Sequence, residues 1–227
     1  MSYKYETHLH TAPVSKCASA SVGDTLEFYK SLGYDGVFIT NHFLDGNINC
    51  DKSLPYRDRI EFYFSDYEAA IALAPRIGIK VFFGTELSYR GTDFLVYGLD
   101  KEWYLSHPEI MEMSKTEELS LMASEGALII QAHPYREASY IDHIRLFPRH
   151  VHGVEVNNAK RSPLENGMAR HYADSYNLIH FAGTDNHTGA ASRHLCGMRF
   201  YEPILSEWDF VEKIKAGHGK IFELDIK

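Results

Sequence analysis

Short apolar runs alternate with longer amphipathic stretches along almost the whole chain. GVFIT (36–40), KVFFGTEL (80–87), DFLVYGL (93–99), ALIIQAH (127–133), GVEVNN (153–158) and LIHFAGT (178–184) are too short for helices and rich in β-branched or aromatic residues, so each predicts a strand. Between them, DTLEFYKSLGY (24–34), FSDYEAAIALAPRIG (64–78), SKTEELSLMASEG (114–126) and PLENGMARHYADSYN (163–177) predict helices. Asp24 and Ser114 serve as N-caps, and Gly33, Gly78 and Gly126 as C-terminal stops. WDFVEKIKAGH (208–218) predicts a last helix and KIFELDI (220–226) a final strand. Such alternation points to a parallel α/β architecture, and near-continuous apolar strands point to burial on both faces. A barrel fits better than an open sheet. With no repeat, low-complexity tract or Pro/Gly/Ser linker, residues 1–227 read as a single domain, in which 43–64 is a long loop insertion after the second strand.

Composition narrows the function classes. The chain has 227 residues, 44% hydrophobic and 24% charged, enough for one well-packed core. No apolar run approaches the length of a membrane span, and the N-terminal MSYKYETHLH has no apolar leader. Three widely spaced cysteines argue against a disulfide framework, so a cytoplasmic location is expected. A net charge of −8 makes bulk nucleic-acid binding unfavourable, but bound cations would still admit a small anionic substrate.

The polar residues gather at the strand ends. His8 and His10 close the first strand in HLH, and alternate positions on a strand share a face, roughly 7 Å apart. His42, Glu86, His133, Glu155 and the pair Asp185 and His187 end the next ones. In parallel α/β folds, sites assemble at the carboxyl ends of strands. A lone histidine there is usually a hydrogen-bonded core residue; six strand ends each delivering a His, Asp or Glu predict a metal cluster. Imidazole with carboxylate suits zinc, manganese or iron, and the ligand count predicts two to three divalent ions. Clustered ions suit phosphoryl transfer.

The pieces HLH, TNH, GTE, AHP and GTDNH, in that order between positions 8 and 187, resemble the motif set of the PHP (polymerase and histidinol phosphatase) domain family. The resemblance implies a distorted (β/α)7 TIM-like barrel with a trinuclear metal site. It also implies phosphoesterase activity through a metal-bridging hydroxide, on a small phosphorylated substrate such as histidinol phosphate, a nucleotide or a sugar phosphate. It assigns one metal to His8, His10, Glu86 and Asp185, a second to Glu86 and His133, and a third to His42 and His187, with Glu86, Asp185 and His187 as the catalytic set. Asn41 stands where the family carries Asp, and Asp93 where it often carries His; Asp93 is a ligand of the second site or a turn residue. Cys17 lies near the expected place of a ligand for the third metal, or is a buried small residue. Glu155 touches the second metal or sits beneath the site, hydrogen-bonding a ligand.

Arg136, Arg193 and His194 are candidate phosphate contacts because they follow the AHP and GTDNH pieces closely, whereas Arg161 reads as a solvated cation. His171, His194 or water would protonate the leaving group. Two other readings stand beside the phosphoesterase: an amidohydrolase-like C–N hydrolase with one or two metals, and a non-catalytic module of the same family.

Overall fold

The computed structural model describes residues 2–226. Nine strands form one sheet: β1 (Tyr3–Glu6), β2 (Gly36–Ile39), β3 (Lys80–Tyr89), β4 (Thr92–Tyr97), β5 (Leu128–Ala132), β6 (Gly153–Asn158), β7 (Ile179–Gly183), β8 (His194–Phe200) and β9 (Lys220–Asp225). Their order is β7-β6-β5-β4-β3-β2-β1-β8-β9. The helices are α1 (Val22–Ser31), α2 (Tyr56–Ile77), α3 (Lys101–Ser106), α4 (Lys115–Ser124), α5 (Pro163–Tyr176) and α6 (Glu207–Lys215). The sheet curls into a nearly closed barrel. At the seam, the Cys196 amide of β8 donates to Thr184 Oγ1 just past β7 (3.1 Å), and Asn157 Nδ2 of β6 donates to Glu223 Oε1 of β9 (2.6 Å).

The barrel departs from uniform (β/α)7 alternation. β1, β2 and β3 pair in parallel, as do β5, β6 and β7, but β4 runs antiparallel to both β3 and β5. No helix separates β3 from β4; the two-residue turn Arg90-Gly91, with φ of 51° and 83°, reverses the chain instead. β8, absent from the predicted strands, and β9 are also antiparallel to their neighbours.

The 43–64 insertion is shorter than expected, because α2 begins at Tyr56 and leaves only 43–55 irregular. Ile60, Tyr63, Phe64, Ala70 and Ala74 are buried at helical spacing, so the apolar stripe already starts inside the supposed loop. Tyr56 donates to the Tyr104 carbonyl at 2.7 Å and thus covers the barrel wall. The cap of α1 also shifts: Ser21 accepts from Asp24 N, placing Asp24 in the first turn. Ser114 forms the expected capping box with Glu117.

Inside the barrel, Phe38, Tyr97 and Phe181 surround Phe210 of α6, at ring-centroid distances of 4.2, 5.2 and 6.2 Å. Burying one such ring contributes roughly 2–3 kcal/mol. This aromatic plug forms a rigid floor, and the Tyr97 hydroxyl rises from it to donate to the Thr7 carbonyl (2.6 Å), next to His8. Among the described residues no helix is long and apolar enough to cross a membrane.

Candidate metal centre

β1 ends at Glu6, so His8 and His10 lie just beyond the strand. They keep its alternation because the chain stays pinned on both sides. The Thr40 amide donates to the Leu9 carbonyl (2.9 Å), and the His10 amide donates to the Asn186 carbonyl (3.0 Å). Glu6, unremarked in the sequence, ties the ends of β1 and β7 together. Its buried Oε1 accepts from the amides of Thr7 (3.0 Å), His8 (3.0 Å) and Thr184 (2.9 Å), while Oε2 accepts from the hydroxyls of Tyr29 and Thr184.

The side chains expected at strand ends come together, although Glu86 lies within β3 and Glu155 within β6. Glu86 sits at the centre, 1% exposed. His8 Nε2 and His133 Nε2 lie 3.0 and 3.4 Å from its Oε1, and His42 Nδ1 and His10 Nε2 lie 2.8 and 3.4 Å from its Oε2. Asp185 Oδ1 lies 3.5 Å from His8 Nε2 and 3.4 Å from His10 Nε2. Stacked against His10 at 4.2 Å between ring centroids is His187. Three sets of donor atoms, each within 4.8 Å of one another, emerge: His8, His10 and Asp185; His8, Glu86 and His133; and His10, His42 and His187. Asp185 and His133 adopt positive φ (58° and 25°), a strained backbone of the kind that clusters at functional sites.

Surrounding hydrogen bonds set the imidazole tautomers. Glu155 hydrogen-bonds around the cluster: its Oε1 accepts from His8 Nδ1 (2.9 Å), and its Oε2 accepts from the His133 amide (3.0 Å) and Asn158 Nδ2 (2.9 Å). His187 Nδ1 donates to the Asp185 carbonyl (2.9 Å). Ser15 Oγ gives its proton to Asn41 Oδ1 (2.9 Å), so His10 Nδ1, 3.1 Å away, must be a donor to it. Asn41 in turn donates to Asp66 Oδ2 of α2 (3.1 Å). An aspartate at position 41 would face that carboxylate. This explains why an amide stands there, and it shows Asn41 supporting His10 through Ser15. The sequence carried no signal for Ser15 or Asp66. Glu155→Gln removes the anion that fixes His8, and is expected to weaken metal affinity by roughly 10–100-fold. Titration of the chelator-stripped variant with zinc checks this; wild-type affinity would leave Glu155 a packing residue.

With their Nδ1 atoms donating outward, His8 and His10 aim Nε2 lone pairs at each other across 3.2 Å and at Glu86. Neither oxygen of Glu86 receives a hydrogen bond. Burial pushes Glu86 up, but His42, His8 and His10 outweigh it and hold the carboxyl well below its usual range. Burial likewise opposes Asp185, which His8 and His10 hold well down. Burial disfavours charge on His8 and His42, yet Glu155, Asp185 and Glu86 raise the first, and Glu86 raises the second, well above ordinary imidazole. Burial and the neighbouring His187 and His42 push His10 well below, so it stays neutral. A proton on His8 relieves part of this crowding of lone pairs; none is available at His10. A shared divalent cation relieves all of it, so the donor set fits metal ions.

The cluster forms the floor of a cavity of about 620 Å³ whose lining includes Cys17, Asn47, Arg90, Asp93, Arg136 and Tyr140. Desolvation raises the Cys17 thiol, but hydrogen bonding to His187 and His42 overrides it and draws it down to about 6. Cys17 is exposed, not a buried small residue. Asp93 is buried on β4, 3.9 Å from His133 Nε2, and paired with Arg136 Nη2 at 2.9 Å. Arg193 and His194 do not join them. β8 begins at His194 and leads away from the cluster, where His194 Nδ1 pairs with Asp225 (2.6 Å). Neither they nor His171 line the cavity, which removes His171 and His194 as leaving-group acids. Arg161 lies in a different cavity, beside Glu165.

No protein-family model and no curated relative matches the sequence. Solved structures do resemble it. A two-domain protein of Bacteroides vulgatus containing a predicted PHP-like metal-dependent phosphoesterase aligns at TM-score 0.69 and 15% identity, over 98% of this chain. The chain spans 65% of that protein's length. A Bifidobacterium adolescentis protein provisionally described as a metal-dependent phosphoesterase aligns at TM-score 0.54 and 14% identity, over 82% of this chain and 88% of that one. An amidohydrolase of Chromobacterium violaceum with bound sulfate aligns at 0.56 and 12%, over 93% and 96%. At these identities the likeness is one of fold, and the chain therefore has the barrel fold found in PHP-like metal-dependent phosphoesterases.

Proposed function

We propose that the protein is a metal-dependent phosphoesterase acting on a small phosphate ester. The observation that carries this reading is Glu86, a buried carboxylate with no hydrogen bond on either oxygen and four imidazole nitrogens within 3.4 Å. His8, His10, Glu86 and Asp185 would hold one ion, Glu86 and His133 a second, and His42 and His187 a third, of zinc, manganese or iron, with Asp93 and Cys17 as flanking donors. Bound ions would supply positive charge for phosphoryl oxygens and acidify water near neutral pH.

The chain's own residues do the rest. His8 and His10 are held with Nε2 inward by Glu155 and Ser15. Arg136 adds a cation to the cavity wall; its Nη2 is committed to Asp93, while its buried Nε has no partner. The C–N hydrolase reading calls for a bridging lysine or acid on a middle strand, whereas the shared carboxylate here, Glu86, comes early, on β3. His42 and His187, beside His10 but outside the Glu86–His133 set, favour more than two ions.

Metal content per chain, measured by mass spectrometry, tests the reading. About two to three equivalents are expected, falling in His10→Ala, together with hydrolysis of p-nitrophenyl phosphate that a chelator abolishes and manganese or zinc restores. An imidazole must be neutral to ligate, and the surrounding carboxylates raise the proton affinity of His8 and His42, so protons compete with metal there. Loading is therefore expected to be stronger at about pH 8 than at about pH 6. Protein that takes up no metal, at either pH, rules the proposal out.

A further inference from the structure

We propose that Arg90 binds a second anionic group on the substrate, so that the site prefers phosphate esters carrying another carboxylate or phosphate. The inference rests on the phosphoesterase reading and names the substrate class more closely. Three independent observations support it. First, Arg90 lines the same cavity as the cluster, is exposed, and among the described residues takes part in no ion pair. The other cavity arginine, Arg136, is already neutralised by Asp93. An unpaired guanidinium at the mouth of a site built for an anion is poised for a charge-assisted, bidentate contact.

Second, Arg90 occupies a position that its residue type disfavours. It is the first central residue of the β3–β4 turn with φ of 51°, where asparagine, aspartate or glycine is the usual choice. A strained backbone kept at a cavity rim points from geometry to function. Third, the turn is anchored in place. Arg145 Nη1 donates to the Arg90 carbonyl (3.0 Å), Arg136 Nη2 reaches the Gly91 carbonyl (3.5 Å), and Ile141 packs over Gly91 so closely that an added Cβ would lie 2.8 Å from it. All of these fix the main chain and leave the Arg90 side chain uncommitted beyond its position over the Tyr89 ring.

Arg90→Asn removes the cation while supplying a residue suited to positive φ, so the variant should fold and melt at or above the wild-type temperature. The probes are two non-hydrolysable phosphonates of one chain length, 4-phosphonobutanoate and butylphosphonate, titrated calorimetrically into manganese-loaded protein. Wild type is expected to bind the carboxylate-bearing compound about tenfold more tightly, and Arg90→Asn to lose that preference while binding butylphosphonate unchanged. Equal binding of the two by wild type, or a preference that survives in Arg90→Asn, overturns the second-anion site and leaves the phosphoesterase standing. Binding of neither overturns both.

Discussion

Glu86→Gln is expected to lower turnover of a phosphate ester by roughly a thousandfold or more and to strip metal from the purified protein. Glutamine keeps the size of the side chain, so packing on the aromatic floor survives and the loss is electrostatic. In the native cluster one carboxylate faces His8, His10, His42 and His133 within 3.4 Å. The variant replaces one of its oxygens by an NH2 and removes the negative charge that lies 2.8 Å from His42 Nδ1 and 3.4 Å from His133 Nε2. Any bridging between the Oε1 side, with His8 and His133, and the Oε2 side, with His10 and His42, is lost with it. The far-ultraviolet dichroism should remain native, whereas metal content and rate fall together. Native metal content with native rate would remove Glu86 from the centre of the site.

Much of this cluster is legible in the sequence, because burial and chemistry coincide at or near strand ends. His42, Glu86, His133 and Asp185 each come shortly after a run of buried apolar residues, and a buried polar residue after such a run is conspicuous. Strand direction was not readable: TDFLVY is buried at every position whether it runs parallel or antiparallel, and only the Arg90-Gly91 turn betrays the hairpin. The substrate contacts misled for a related reason. Arg193 and His194 are close to His187 in sequence, but β8 starts there and carries them off. The residues that aim the ligands were the least visible. Glu6 belongs to β1, ahead of the HLH piece but no part of it, and Asp66 sits in the middle of α2 with no motif around it. Their roles exist only after Thr184, Tyr29, Thr11 and Asn41 have been folded against them.

Gly183→Ala tests whether the two sides of the barrel seam meet at the site. Gly183 ends β7 directly before the Thr184–His187 segment. An added Cβ would collide with His8 Cβ and lie 2.8 Å from Glu155 Oε1 and 3.1 Å from the His8 amide nitrogen. None of these neighbours can yield cheaply. The His8 amide is bonded to Glu6, and its ring to Glu155, which also holds the His133 amide. A single methyl therefore disturbs His8 beyond β1, Glu155 of β6 and, through Glu155, His133 beyond β5 at once. Overpacking of this kind costs roughly 3 kcal/mol, equivalent to a melting temperature lower by about 6–12 °C for a chain of this size. Gly167→Ala is the matched control. It lies in α5 with nothing within 4 Å of an added Cβ, so the same methyl meets open space and helix propensity favours it by about 1 kcal/mol. Calorimetry of the two variants, followed by zinc titration, should separate them in both stability and affinity. If Gly183→Ala melts and binds metal like wild type, the close approach of His8, Glu155 and β7 is wrong, and with it the hydrogen-bonded frame that holds the cluster.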